Sequence, residues 1–555
     1  MSPDAFTSTS TFTFNNPVLQ GFNPDPTICV VPADGETPTT YFLSTSTFEY
    51  FPGCAIYTST DLLSWRLIGH ALTRRSQIEL RTVEPGAGSW ASTLRYRAAE
   101  GRFYLANCLF QRYRPASDKP DPQGKQLFWD DDGKVYLSTT RRLSDRPAGS
   151  KLKDFAIHIS EVDLATGRTL APATVARRSP HGLAEGSHLL RRGPWYYLFT
   201  AEGGTEAGHQ EWVFRSRRGV LGPWEGQGGP LWYNGPGDEV QRTGHADVFE
   251  DGAGRWWAVL LGVRPLRAGG EGGGWLEPQL GRETFLVRVD WVDDWPVFNG
   301  GKNISLVTQG HEMQSQVSPT LAEGPSVWKA NLDRHDLELG WYQKHTPLKP
   351  SYSLTERPGY LRLWGSCYDL SSPEAPAMLL RKQTAYFQTF EVTLEFDPRR
   401  VGYEAGIVLW WNHFSYATMG VTFVAPAHGK EARTVVARNA TGQAGVMTTT
   451  YPLSSRQDSP ETLQLPLLPQ PVKLLIICQG SKYFLVLEQL GIEQARITCS
   501  AGELTVLPPV GGAFAGVMYG IYAFGKGEPV LDPADFKEIS VGAYHAVDFG
   551  LKHEL

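Results

Sequence analysis

Five stretches of the chain share one arrangement of polar and apolar positions. In each, a polar, glycine-containing turn runs directly into a segment rich in aromatic and β-branched residues: "ADGETPTTYFLSTS", "AEGRFYLAN", "DDDGKVYLSTT", "RRGPWYYLFTA" and "DGAGRWWAVLLG". Such a unit predicts a hairpin, because the turn needs residues that bend freely and its flanks favour a pleated, half-buried surface. The turn glycines, Gly35, Gly101, Gly133, Gly193 and Gly252, lie 66, 32, 60 and 59 residues apart. Almost nothing between them has the 3.6-residue period of a helix. Five β-units in succession predict a five-bladed β-propeller, whose innermost strands start near a central channel. Reading back from each turn to the start of its strand gives Asp25, Trp90, a position near residue 124, Glu185 and His245. The short second interval has room for two strands instead of four. It predicts an incomplete second blade, with segment 111–126 irregular and exposed.

Beyond residue 300 the pattern changes. "GKNISLVTQGHEMQSQVSPTLAEGPSVWKANLD" is polar and weakly patterned and reads as a linker. Alternating runs follow, among them "YLRLWGSC", "FEVTLEF", "AGIVLWW", "YATMGVTFV", "KYFLVLEQL" and "FAGVMYGIYAFG". Many strands with turn signals between them predict a two-sheet sandwich. The expected organisation is all-β: a propeller over 1–310, a linker over 311–325, and a β-sandwich over 326–555 that caps the site. A chain of 555 residues suits two such cores better than one.

Composition narrows the function. Hydrophobic residues make up 41% and charged residues 20%, and the net charge is −6 with both signs interleaved, so neither disorder nor nucleic-acid binding is indicated. Nothing resembles the long apolar run of a membrane span. The opening "MSPDAFTSTSTFTFNNP" shows no basic region followed by an apolar one, so a cytoplasmic protein is expected. The final "KHEL" and the sequons at Asn303 and Asn439 are then coincidental. Six cysteines form no CxxC pair and read as buried free thiols. "RAGGEGGGW" at 267–275 lacks the lysine and hydroxyl of a phosphate loop and reads as a flexible loop.

Asp25 stands between two prolines in "NPDP", and Glu185 lies in "AEGSHLL". Taken alone, the first reads as a turn and the second as a common loop. Together, at two inner-strand starts, they are the pair of carboxyl groups that glycoside hydrolysis needs: an acid for the leaving oxygen and a carboxylate acting on the opposite face. Proline locks its own φ and restricts the residue before it, so "NPDP" promises a stiffly held base.

The segments "NPVLQGFNPDPTI", "STSTFEYFPGCAIYTSTDLLSW", "LTRRSQIELR", "SWASTLRY", "LFWDDDGKVYLSTT", "AEGSHLL", "LFTAEGGTEAGH", "TGHADVFED" and "LGRETFL" resemble, in order, those of glycoside hydrolase family 43. The tail from "YSLTERPGYLRLWGS" is similar to the β-sandwich appended in its β-xylosidase and α-L-arabinofuranosidase branch. The resemblance implies a five-bladed propeller and a single-displacement, inverting hydrolysis, with Asp25 as general base and Glu185 as general acid. It implies that Arg282 holds substrate hydroxyls, that His245 lies at the channel centre, and that Phe48 and Trp90 wall the sugar pocket, although these three could equally be core residues. It also implies an exo-acting enzyme on short xylo- or arabino-oligosaccharides. No cofactor is required, and the resemblance allows a structural calcium ion near the channel.

Three departures stand out. Ser92 and Ser187 replace prolines. The family's third acidic residue, which tunes the acid, falls on Gly124, leaving Asp121 in "PDPQGKQLFW" as the nearest candidate. Asp130, Asp131 and Asp132 belong to a hairpin turn and lack the spacing of a calcium loop. A sugar-binding or impaired propeller and an arabinan-cleaving relative are the alternatives. Sugar preference and oligomeric state are not legible.

Overall fold

The computed structural model describes residues 11–110, 125–143, 154–268, 273–311, 327–424, 432–452 and 470–543. Nearly all its regular structure is strand. Its single α-helix among these residues is the turn Ala501–Leu504, closed by a capping box between Ser500 and Glu503.

The first sheet runs Thr27–Val31, Thr40–Thr45, Gly53–Ser59 and Arg66–Leu72, each strand antiparallel to the last. The second pairs Gly88–Arg97 with Arg102–Phe110. In the third, Lys125–Trp129, Val135–Arg142 and Phe155–Asp163 follow in order, with Arg168–Thr169 and Thr174–Arg178 sharing the outer edge. Two four-stranded sheets complete the series: Ala184–Arg192, Trp195–Glu202, Gln210–Ser216 and Glu225–Gly226, then Gln241–Glu250, Trp256–Val263, Glu283–Val292 and Trp295–Phe298. Strand order follows sequence order, as short turns between aromatic runs dictate.

Four of the expected turn glycines adopt the left-handed backbone, with φ of 93° at Gly35, 61° at Gly101, 84° at Gly133 and 56° at Gly193. The fifth expectation is off by two: Gly254, at φ 79°, makes that turn. Gly252 packs against Thr39, whose Oγ1 would lie 2.4 Å from an added Cβ.

Most of segment 111–126 lies outside the described residues. Its last two do not bear out an irregular, exposed stretch, because Lys125 and Gln126 already belong to a strand. Gln126 is buried, and its amide exchanges hydrogen bonds with the Leu189 backbone at 3.3 and 2.5 Å.

The chain's start is tied to the last of these sheets. Thr11–Asn15 pairs with Val307–His311, and the Asn16 amide bonds both the carbonyl and the N–H of Leu286 at 2.8 and 3.0 Å. The buried amide thus replaces a missing backbone partner.

Residues 327–543 build two larger sheets. One places Ala534–Ala543, Phe387–Glu395, Val472–Gln479, Lys482–Gln489 and Ile492–Ser500 side by side; the other runs Ala377–Lys382, Met518–Phe524, Glu404–Asn412, Ser415–Val424, Ala432–Ala440 and Val446–Pro452. Between them lies an apolar core with Phe390, Ile407, Leu409, Ile476, Leu485 and Ile521. A second core spans the junction with the N-terminal sheets: Phe22, Phe48 and Tyr50 pack with Tyr342, Met378, Trp410, Met518 and Tyr522. Tyr50–Phe51 also pairs with Gln343–Lys344 across the junction.

Candidate active site

Asp25 lies just before the first inner strand and is 6% exposed. Its carboxylate accepts a hydrogen bond from Ser46 Oγ at 2.7 Å and from Arg282 Nη1 at 3.3 Å, and His245 Nδ1 lies 3.3 Å away. Burial alone would push its proton affinity up. The Arg282 guanidinium, the imidazole and the serine hydroxyl outweigh burial and hold the carboxyl well below the usual carboxylate range. Its backbone is not the extended one that "NPDP" suggests: φ is +53°. Non-local bonds impose this, since Pro24 O accepts Ser46 N–H at 3.1 Å and Asn23 N–H donates to Arg282 O at 2.9 Å.

The same strain recurs around it. Phe48, Ala91, Arg242 and His245 also have positive φ, of 51°, 34°, 56° and 57°. The ladders slip between Trp90 and Thr93, between Glu185 and His188, and on either side of Gly244. Bulges of this kind re-aim side chains, and strained residues cluster where function over-determines the backbone.

Glu185 is half-buried on the strand Ala184–Arg192, opposite Ala201. Next to it, Gly186 has φ +53°, and an added Cβ would meet the His245 ring at 2.6 Å, so glycine lets that imidazole lie against the backbone beside Glu185. Arg282 joins the two carboxyl groups electrically: Asp25 and Glu185 both act on its charge. It also donates to Thr205 Oγ1 at 2.8 Å.

Deeper in, Arg95 grips Asp247 through two bonds of 2.8 and 3.0 Å and reaches Thr27 Oγ1 at 3.1 Å and His188 Nδ1 at 3.2 Å. Four different sheets therefore meet at one buried cluster. Burial pushes the His188 imidazole down to about 3, keeping it neutral. A hard cation such as calcium takes six or more oxygen ligands. Here the Asp247 oxygens are engaged by Arg95, and among the described residues no three His, Cys, Asp or Glu side chains could hold a metal ion. The described residues around this cluster do not offer a calcium ion its set of oxygen ligands.

The second domain contributes directly. Both Arg282 Nη2 and Nε point at Phe514 O, at 3.2 and 3.4 Å, and the guanidinium lies over the Phe48 and Phe514 rings at 5.3 and 5.7 Å. The loop bearing Phe514 is pinned at both ends, by Gly512 N–H to Pro85 O at 2.9 Å and Val517 N–H to Gln279 O at 2.7 Å. Phe48 is buried in the junction core, whereas Trp90 is half-buried, stacked on Phe110 at 4.2 Å and edge-on to Phe514 at 5.8 Å. Trp90 Nε1 donates to Gly86 O at 2.9 Å, and Gly86 N–H donates to the buried Glu49 carboxyl at 3.0 Å, which burial pushes up to about 7.

The structure therefore brings Asp25, Arg282 and His245 into direct contact, places Glu185 beside them, and sets Phe48 and Trp90 at the junction with Phe514. Asp121 and Gly124 lie outside the described residues. Ser92 and Ser187, which stand where prolines are usual, each find a hydroxyl partner, Ser44 and Ser138. The three aspartates from Asp130 form the expected turn, with Gly133 N–H on Asp130 O at 3.0 Å. All six cysteines are free, five of them buried. Sequence reading missed Ser46, Thr205 and Phe514. No signal short of the tertiary contacts would have singled them out.

Comparison with known proteins places the chain in a family. Residues 14–125 and 121–296 match Glycosyl hydrolases family 43, and residues 329–541 match the Beta xylosidase C-terminal Concanavalin A-like domain. A Bacteroides ovatus protein named non-reducing end alpha-L-arabinofuranosidase is 31% identical over 94% of each chain. A Vibrio protein named xylan 1,3-beta-xylosidase is 33% identical over 72% of this chain and 78% of its own. The crystal structure of a xylan beta-1,4-xylosidase from Bacillus halodurans superposes with a TM-score of 0.80 at 26% identity, covering 96% of this chain and all of that one. The chain thus belongs to glycoside hydrolase family 43, in the β-xylosidase and arabinofuranosidase branch that carries the concanavalin-like domain.

Proposed function

We propose that this glycosidase removes terminal β-D-xylosyl or α-L-arabinofuranosyl residues from short oligosaccharides with inversion, in a five-bladed propeller over residues 1–310 joined through 311–325 to a sandwich over 326–555. The observation that carries the reading is the Asp25–Arg282–His245 cluster with Glu185 alongside. Asp25 is held ionised and rigid, as a base that orients water must be. Glu185, less buried and on a different sheet, acts as the acid that protonates the leaving oxygen. Arg282 sits where it can bond sugar hydroxyls while balancing Asp25. The Phe514 carbonyl and ring, which come from the second domain and meet Arg282, support removal of a terminal sugar over cleavage within an arabinan. Work in the cytoplasm accords with this choice of short substrates.

An inverting pair needs roughly 6.5–9.5 Å between its carboxyl groups, enough for a water molecule. Proton NMR during cleavage of a β-xyloside should show α-xylose appearing first. Initial release of β-xylose would overturn the single-displacement assignment.

A further inference from the structure

Asn23, two residues before Asp25, has all its polar atoms engaged. Its amide oxygen accepts from Tyr57 OH at 2.8 Å, Thr45 Oγ1 at 3.4 Å and Lys382 Nζ at 2.9 Å. Its amide nitrogen donates to Gln20 O and Gly21 O at 3.0 and 3.5 Å. The backbone N–H meets Arg282 O, and the carbonyl accepts from Thr284 Oγ1 at 2.7 Å. Three of these partners lie on the first and last sheets of the N-terminal domain. Lys382 is the exception, since it ends the strand Ala377–Lys382 of the sandwich.

Its setting is costly for a cation. The ammonium lies 5.0 Å from the ring centroids of both Phe22 and Tyr342, and no carboxylate among the described residues is within ion-pair distance. Burial pushes the ammonium down to about 7. Two ring faces and one amide oxygen are what hold it there. The strand behind it is stiff, because Lys382 pairs with Met518, four residues beyond Phe514.

We propose that Lys382 is a positioning residue: through the Asn23 side chain, the sandwich sets the placement of the Asp25 carboxylate. The proposal rests on Asp25 being the base. Any shift of Asn23 passes through Pro24, whose carbonyl takes the Ser46 N–H, to the Ser46 hydroxyl that bonds Asp25. Small displacements of a general base lower turnover steeply.

The test uses the full-length enzyme with nitrophenyl xyloside and arabinofuranoside, following kcat, KM and melting temperature. Lys382→Met, which keeps the length and loses the donor, should lower kcat at least tenfold with KM within twofold. Lys382→Arg should recover at least threefold over Lys382→Met. In an Asn23→Ser background, Lys382→Met should cost less than twofold more, because the shared pathway is already cut. Unchanged kcat in Lys382→Met, a rise in KM alone, or an undiminished loss in the Asn23→Ser background would each overturn the proposal. Should Lys382→Met not fold, Lys382→Leu, which also lacks a donor, is put through the same comparisons. Asp25→Asn reports separately on the base: wild-type turnover there would sink that assignment, whereas Lys382 is judged from ratios between variants.

Discussion

At the scale of single residues, the proposed chemistry turns on how Asp25 is kept charged while nearly buried. Removing a carboxylate from water favours its protonated form, and a guanidinium, an imidazole and a hydroxyl oppose that here. The folded-state proton affinity is therefore below the unfolded one. Asp25 contributes stability above the ordinary aspartate range, and that contribution is lost as the pH falls below it. The Arg282 guanidinium is the strongest of the three. Arg282→Gln should lower kcat/KM and also move the acid limb of the pH–rate profile to higher pH, because burial then acts with one opponent fewer. A pH–rate profile in which the limb stays where it is in the wild type would show that Arg282 does not tune Asp25.

At the scale of elements, the inner strands achieve convergence by being irregular. A regular strand alternates its side chains between faces, so it could not turn consecutive functional groups toward the axis. The slip between Glu185 and His188, with Gly186 left-handed at its centre, is what lets the His245 ring approach. Gly186→Ala would combine a strained φ with a 2.6 Å contact. It should destabilise the fold by about 1–3 kcal/mol and cost at least tenfold in kcat, since the ring it displaces touches Asp25. Calorimetry and steady-state kinetics on the same preparation check both; wild-type turnover would mean that the imidazole's placement is unimportant.

At the scale of the whole molecule, the two domains share a core. Phe22, Phe48 and Tyr50 are each at most 2% exposed, and part of what covers them comes from residues 342–522. Burying a large side chain contributes about 1.5–3 kcal/mol, so the junction supplies a substantial fraction of a typical domain's stability. A chain ended at residue 311 should be aggregation-prone or markedly less stable, and the full chain should melt in one calorimetric transition. Two separate transitions, or a soluble N-terminal fragment with full activity, would show that the sandwich is a passenger.

Much of this was legible in the residues themselves. Turn glycines and alternating aromatic runs act over a few positions, so the hairpins and their order could be read directly, although Gly254 displaced Gly252 where Thr39 fills the space beside it. The two carboxyl groups were legible because each stands at the start of an inner strand. The left-handed backbone of Asp25, Phe48 and His245 was not legible, because hydrogen bonds from residues dozens or hundreds of positions away impose it against local preference. Nor were the parts that Phe514 and Lys382 play. Their partners lie 232 and 359 positions off along the chain, and only the packing of one domain on the other brings them within reach.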